Sequence, residues 1–97
     1  MKDLRYEWDE SKNRTNRRKH RVGFEEARTA FLDENARLVE DPEHSNDEDR
    51  FILVGLSIRL RLLVVCHCYR ESERVVRILS ARKADPSERR DYARWLP

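Results

Sequence analysis

The sequence lacks the features of membrane and exported proteins. It has no apolar run approaching the 18 residues that a membrane-spanning helix requires, and no signal peptide. It contains two cysteines, Cys66 and Cys68, which are too close together in a predicted strand for an unstrained disulfide. We therefore predict reduced, buried thiols in a soluble, cytoplasmic protein with no membrane contact.

Sites for metal ions and cofactors are also missing from the pattern. No acidic cluster is arranged as a two-metal nuclease requires, and His67 lies between the two cysteines and so faces the other way in a strand. No cofactor and no metal ligand are predicted. There are no internal repeats, and 97 residues leave no room for a separate catalytic module.

The composition is that of a single folded domain covering residues 1–97. Charged residues make up 41% of the chain and hydrophobic residues 38%, but the hydrophobic residues are concentrated in its middle. A chain of this length buries roughly 60–65% of its unfolded surface. We therefore expect one modest core.

A net charge of only +2 conceals segregated charges. Residues 12–21 are basic, residues 40–49 acidic, and residues 59–94 mostly basic. Most of the cations are arginines, whose planar fork suits phosphates and carboxylates, so an anionic partner is expected. The acidic segment is predicted to be a loop, because Pro42 excludes regular structure. It could be merely solvated, could hold the basic segment within the molecule, or could repel RNA from one side.

The basic segment predicts a helix over residues 10–20 with Asp9 as its N-cap. It has no large apolar side chain, so core burial does not explain it, and it should present a cationic ridge to a phosphate backbone. The alternative for Lys19 and His20 is that they only complement the helix dipole in the last turn.

The remaining pattern predicts an α+β domain with two N-terminal helices, a small antiparallel sheet of three to four strands and a C-terminal helix. Residues 4–8 form a short strand or an anchoring extended segment. The second helix covers residues 24–32, and the last covers 86–96 with a cap at Asp85. The strands are predicted at 35–40, 50–56, 60–69 and 75–80.

Several segments of the chain form a family-like pattern when they are taken in order. They are Tyr6 to Asn13 with Asn16 and Lys19-His20, Val22 to Ala27, Arg50-Phe51 leading to Gly55, Arg61 to Val65, and Arg77 to Ala84 with Glu88, Arg89 and Tyr92. Together these segments resemble the BrnT toxin family. The resemblance implies a RelE-like fold and a ribonuclease toxin of a type II toxin–antitoxin pair that inhibits translation. The implied partners are an RNA substrate and a BrnA-like ribbon-helix-helix antitoxin, with operator DNA bound only through the antitoxin and with a dimer or heterotetramer as the assembly.

Two turns depart from the family pattern. Members usually carry glycine after the Lys-His pair and serine near the start of the second helix, where this chain has Arg21 and Gly23. The turn before Arg61 usually contains a glycine, and Ser57 to Leu60 contain none. We expect both turns to be built differently.

The residues suit metal-independent RNA cleavage that leaves a 2′,3′-cyclic phosphate, because this needs a base and cations rather than a metal ion. The predicted catalytic residues are His20, Lys19, Arg77, Arg82 and Arg70. The predicted RNA-binding residues are Arg17, Arg18, Arg61 and Tyr92. Arg77 could instead form an ion pair across the sheet, and Tyr92 could pack the last helix.

The other aromatic and imidazole side chains receive structural interpretations. His67 is predicted on the sheet surface, His44 in the acidic loop, and Trp8 and Trp95 as anchors. The alternative function for the whole chain is a non-catalytic module that binds nucleic acid or an acidic protein, since such a module needs arginines equally.

Overall fold

A computed structural model describes residues 4–41 and 50–97. The elements follow in the order β1 (Arg5–Glu7), α1 (Glu10–His20), α2 (Phe24–Ala27), a 3-10 helix (Arg28–Leu32), β2 (Arg37–Glu40), β3 (Phe51–Leu56), β4 (Leu62–Arg70), β5 (Val75–Lys83) and α3 (Pro86–Trp95). The α+β class is confirmed. Pro42, which is predicted to exclude regular structure, and His44, which is predicted in the acidic loop, lie outside the described residues.

The described strands form one five-stranded sheet in the order β1-β5-β4-β3-β2. The strand alternative for residues 4–8 and the antiparallel pairing of β2 to β5 are confirmed, but the predicted sheet of three to four strands, all antiparallel, is wrong. The segment around Tyr6 is a strand, and it pairs parallel to β5, with Arg5 opposite Val75 and Glu7 opposite Arg77. This contact joins residues that are 70 positions apart in the sequence, so local sequence patterns could not specify it.

The larger core lies between the sheet and the N-terminal helices. Phe24, Ala27 and Ala30 are fully buried against Val65 and Ile78 of the central strands. On the other face, Tyr92 of α3 packs on a second cluster. The two faces follow from strand alternation, which is shifted once by a bulge on β5 where Leu79 has no partner on β4.

The second helix is shorter than predicted. It ends at Ala27, and the chain continues as the 3-10 helix. The Thr29 hydroxyl donates to the carbonyl of Glu26 and accepts the backbone N–H of Ile58, which ties this tighter turn to the β3–β4 connection. Gly55 permits the close approach, because a Cβ there would lie 2.7 Å from the carbonyl oxygen of Ala30.

Helix α1 has the predicted bounds and the predicted cap, with Asp9 accepting from the backbone of Ser11 and Lys12. However, the helix does have a buried side, which was not predicted, because the polar side chains of Asn13 and Asn16 are buried. The Asn16 amide donates to the carbonyls of Val22 and Ala81 at 2.8 Å and accepts from the N–H of Ala81 at 3.2 Å. Amide hydrogen bonds, rather than apolar contacts, therefore dock this helix on β5.

Asn13 makes the second docking contact of α1. Its side-chain oxygen accepts the N–H of Phe24 at 2.8 Å, and its nitrogen donates to Glu10 and Glu25. Gly23 provides no side-chain cap for α2. The cap that a serine would supply is thus replaced by an amide from the preceding helix.

The C-terminal helix starts as predicted, with a complete capping box between Asp85 and Glu88 and with Pro86 at its first position. Trp95 packs on the second cluster, and Trp8 on the larger core, consistent with anchors. Both cysteines are free thiols, with Cys68 buried and Cys66 half-buried. Within the described residues, no helix has the length and apolar character needed to cross a membrane.

Candidate functional site

The C-terminal turn of α1 concentrates positive charge at the surface. Arg17, Arg18, Lys19 and His20 occupy this turn, and Arg21 closes it in a left-handed conformation with φ of 60°. In the described part of the chain, Arg18 and Lys19 contact no carboxylate; Arg17 lies 3.6 Å from Glu25. Glycine suits this position because it adopts the left-handed conformation without steric cost. In this chain the residue at the position is arginine, and the backbone is still left-handed.

A groove of about 270 Å³ runs between α1 and β5. Lys19 and His20 line one wall, and Leu79 and Ser80 line the other. His20 is half-buried there, and Ser80 is exposed. The bulge at Leu79 distorts β5 at this point, as bulges often do beside functional sites.

The α1–β5 groove is built by long-range contacts. Asn16 also lines the groove. Its side-chain amide forms hydrogen bonds with both the backbone N–H and the backbone carbonyl of Ala81. Beyond Arg77, the outer edge of β5 has no strand partner among the described residues, and this amide satisfies backbone groups there. The structure thus brings the predicted pair Lys19 and His20 to the edge of the sheet.

A second concave surface, which we call the arginine groove, adjoins the helix end. It has a volume of about 340 Å³ and is lined by Arg17, Arg21, Gly23, Glu25, Glu26, Arg59 and Arg61. Arg61 places two nitrogens on both carboxylate oxygens of Glu26 and donates to the carbonyl of Arg21 at 3.1 Å. Hydrogen bonding by Arg61 lowers the pKa of Glu26, and burial raises the pKa by less.

The predicted strand arginines all have carboxylate partners. One guanidinium nitrogen of Arg77 donates a hydrogen bond to a carboxylate oxygen of Glu7 at 2.9 Å, and Nε of Arg70 lies 3.7 Å from the same oxygen. Arg82 uses two nitrogens on both oxygens of Glu88, at 2.8 Å each, and this lowers the pKa of the Glu88 carboxyl. The ion pair weighed as the alternative for Arg77 is therefore present.

Tyr92 does not line the α1–β5 groove. It is buried beneath α3 on the face of the sheet opposite the larger core, and its hydroxyl donates to Asp33 at 2.6 Å. Burial and this hydrogen bond raise the pKa of Tyr92 to about 12. The packing interpretation of this residue thus matches its position.

The prediction for His67 is wrong, because this residue is fully buried and not on the sheet surface. Its Nδ1 lies 3.1 Å from the carbonyl of Val65, and the rings of Phe31, Phe51 and Tyr69 surround it. Burial lowers the pKa of His67 to about 4, so the imidazole is neutral at physiological pH. His67 is a polar residue within an apolar strand, and this pattern does not indicate which face of the strand is covered by the helices.

Sequence reasoning also missed the role of the buried amides. Asn13 and Asn16 are three residues apart and so share one side of α1. They are the two carboxamide side chains in a helix that is otherwise rich in charged residues. This contrast in the sequence indicates that the side of the helix with Asn13 and Asn16 faces inward. Among the described residues, no three side chains of His, Cys, Asp and Glu converge as a set of metal ligands.

Chemically, the site combines an imidazole, an ammonium group and several guanidinium groups along one helix end. Such a surface binds phosphates through charge-assisted hydrogen bonds, and an imidazole can act as an acceptor or a donor of a proton.

Comparison with known proteins gives one family. The family model described as the ribonuclease toxin BrnT of type II toxin–antitoxin systems matches residues 8–88. The chain is also similar to the crystal structure of the Brucella abortus ribonuclease toxin BrnT, with a TM-score of 0.63 and 21% identity over 84% of this chain and 97% of that one. At this identity the structural likeness concerns the fold alone. No curated protein matches the chain.

Proposed function

Because the chain belongs to the BrnT family of ribonuclease toxins of type II toxin–antitoxin systems, we propose that it cleaves RNA at the α1–β5 groove without a metal ion. The observation that carries this proposal is the position of His20 and Lys19 in a groove at the most cationic turn of the molecule. The family favours an enzyme over the alternative of a binding module. Translation then stops because an RNA that it requires is cut.

His20 is the proposed proton-transfer residue. Its imidazole takes the proton of a ribose 2′-hydroxyl, and the 2′-oxygen attacks the adjacent phosphorus. The bond to the 5′-oxygen breaks, this oxygen takes up a proton, and a 2′,3′-cyclic phosphate remains on the other fragment. Lys19 stabilises the negative charge that develops on the phosphate oxygens.

The arginines divide between RNA contact and support. Arg17 and Arg18 project from the same helical turn and are proposed to hold neighbouring phosphates. Arg77 uses only one nitrogen on Glu7, so its other donors can reach a phosphate, and Arg70 beside it is proposed to assist. Arg61 and Arg82 use two nitrogens on both oxygens of a carboxylate, so we assign them to the support of the fold.

Metal-independence is supported by how the carboxylates are used. Glu7, Glu26 and Glu88 are engaged by arginines, and Asp33 accepts from Tyr92 and two backbone N–H groups. These carboxylates stabilise the structure that presents the cations. Tyr92 is left out of the proposed site because it does not line the groove and is buried under α3.

Membership of a type II system implies an antitoxin partner and an RNA substrate. We further propose that the antitoxin is a BrnA-like ribbon-helix-helix protein through which the complex binds operator DNA. The assembly is then a heterotetramer or a dimer in the cytoplasm. A fold relationship to RelE toxins is part of the same proposal.

The test is incubation of purified, antitoxin-free protein with end-labelled RNA in excess EDTA. We expect cleavage and ends that carry a 2′,3′-cyclic phosphate. His20→Ala protein, prepared in parallel, controls for contaminating ribonucleases. Activity that disappears in EDTA and returns with magnesium or manganese would contradict the mechanism, and RNA that is bound but stays intact under all conditions would favour the binding module.

A further inference from the structure

The connection between β3 and β4 ends in two exposed aliphatic side chains. Ile58 is 75% exposed and Leu60 is 78% exposed, the highest values among the exposed large hydrophobic residues described. We call residues 58–60 the hairpin tip. Single exposed aliphatic residues are common on proteins, but two of them at one tight turn are not required by folding.

The hairpin tip is held in place by hydrogen bonds at its base. The N–H of Leu60 donates to the carbonyl of Ser57 at 2.9 Å, and the N–H of Ser57 donates to the carbonyl of Arg61 at 2.9 Å. The Ser57 hydroxyl donates to Glu26 at 2.7 Å, and the N–H of Ile58 donates to Thr29. The two aliphatic side chains are therefore presented on a preorganised turn, which reduces the entropy lost when a partner binds.

The backbone of Leu60 is in the left-handed region, with φ of 63°. Glycine adopts this conformation without steric cost, whereas a leucine there is strained. The turn has thus kept the conformation that favours glycine while carrying a large apolar side chain. Strain of this kind is often found where the side chain has a function.

The hairpin tip adjoins the arginine groove. Arg59 of the tip lines this groove with Arg17 and Arg21, and Arg61 connects the turn to the end of α1 through the Arg21 carbonyl. An apolar projection and a cationic depression therefore lie side by side on one rigid support.

We propose that the hairpin tip and the arginine groove together bind an acidic, amphipathic segment of the antitoxin. Its apolar side chains cover Ile58 and Leu60, and its carboxylates pair with Arg59, Arg17 and Arg21. This inference rests on the proposed function, since the antitoxin follows from the family and Arg17 is proposed to hold RNA. Binding of the segment then prevents RNA from reaching the end of α1.

The chemistry of the tip favours a protein over RNA as its occupant. Aliphatic side chains offer no hydrogen bond to a phosphate and no aromatic face for a base, and unpaired bases are recognised by stacking and by polar contacts. A protein segment with alternating apolar and acidic residues satisfies both parts of the surface.

The experiment measures the affinity between the purified protein and the antitoxin encoded by the adjacent reading frame, by titration calorimetry. Leu60→Gly suits the left-handed backbone and removes the side chain, and it is combined with Ile58→Ser. We expect the double variant to bind on the order of 10- to 100-fold more weakly. Val39→Ser on the edge strand β2, where Val39 is 50% exposed, is the control and should bind as the unchanged protein does.

RNA cleavage by the double variant without antitoxin should equal that of the unchanged protein. Unchanged affinity, or failure of the adjacent protein to bind the unchanged chain at all, would overturn the proposal. Cleavage that falls in parallel would show that the tip contacts RNA, and a change in the oligomeric state of the free protein would show that it contacts a second copy; either also overturns it. Because affinity is measured without RNA, an inactive protein can still confirm or refute this surface, which separates it from the proposed function.

Discussion

The cations of α1 and the arginines of the strands are similar chemical groups in opposite settings. Arg61 and Arg82 each donate hydrogen bonds to both carboxylate oxygens of a glutamate. In contrast, Arg18 and Lys19 contact no carboxylate in the described part of the chain. Paired guanidinium groups stabilise the shape of the molecule, and unpaired ones leave their charge to a ligand. The position of a cation therefore says more about its role than its residue type.

The difference arises from how each element is attached. The strands fix their arginines opposite carboxylates supplied by neighbouring elements, such as Glu7 of β1 and Glu88 of α3. Helix α1 is attached through Asn13 and Asn16 on its inner side, so its outer side needs no partner. A polar attachment thus allows a helix to expose cations along its last turn.

The largest effect should come from His20→Ala. We expect a loss of cleavage rate of about 10²- to 10⁴-fold, as is typical when a general base or acid is removed. The midpoint of thermal unfolding should hardly change, because the side chain lies on the wall of a groove and not in the core. Cleavage assays and circular dichroism measure the two quantities. Wild-type cleavage, or an unfolded variant, would return His20 to a dipole-compensating role.

Asn16→Ala tests the attachment of α1. It leaves buried backbone groups of Val22 and Ala81 without their hydrogen bonds and should lower the free energy of unfolding by about 2–4 kcal/mol. Arg14→Ala on the exposed side of the same helix is the control, with an expected change within about 0.5 kcal/mol. Equal losses in urea denaturation would mean that the amide does not dock the helix.

Arg77→Lys and Arg82→Lys separate partly used from fully used guanidinium groups. Lysine keeps the charge and loses the fork. We expect Arg77→Lys to slow cleavage on the order of 10- to 100-fold, because a donor to the phosphate is lost. Arg82→Lys should leave the rate unchanged. Near-wild-type rates for both variants, with the fold intact, would assign Arg77 to structure alone.

The Arg61–Glu26 pair should make stability depend on pH in acid. The pKa of Glu26 is lowered in the folded state, so its contribution is present above the unfolded pKa of about 4.3 and is lost as the pH falls below that value. Glu26→Gln should cost about 1–3 kcal/mol at neutral pH and flatten this acid dependence. The exposed Glu34→Gln is the control in unfolding curves taken from pH 7 to pH 3. An unchanged slope in Glu26→Gln would contradict the assignment.

The smallest effect is expected from Arg18→Gln. Loss of one phosphate contact should reduce the slope of the logarithm of RNA affinity against the logarithm of salt concentration by about 0.7. Arg94→Gln, whose arginine pairs with Asp91 on α3, should leave the slope unchanged. Fluorescence anisotropy with a non-cleavable RNA measures both. Equal slopes in all three proteins would remove Arg18 from the RNA surface.

Local signals in the sequence were sufficient for the helices at both ends of the described fold. The N-cap at Asp9 and the capping box at Asp85 predicted where α1 and α3 begin, because a cap bonds to backbone groups within its own first turn. The break after Ala27 could not be predicted in this way, because it depends on Thr29 bonding to Ile58, 29 residues away.

The candidate site was predictable in residue type but not in arrangement. The sequence identified Lys19 and His20 as functional candidates, and the structure adds that Leu79 and Ser80 face them across a groove. Nothing local indicates that β1 pairs with β5 or that His67 faces inward, whereas the inward position of Tyr92 agrees with the packing alternative predicted from its helix. Burial is decided by which helix covers which half of the sheet, and that is a property of the whole chain.

The docking of α1 on β5 also has a consequence for synthesis of the protein. Asn16 and Ala81, which join the two walls of the α1–β5 groove, are 65 residues apart. At roughly 5–20 residues per second, a nascent chain carries α1 for roughly 3–13 seconds before its second wall exists. On the proposed mechanism the growing polypeptide has no complete site until Ala81 is in place, so we expect a fragment that stops before Ala81 to be inactive.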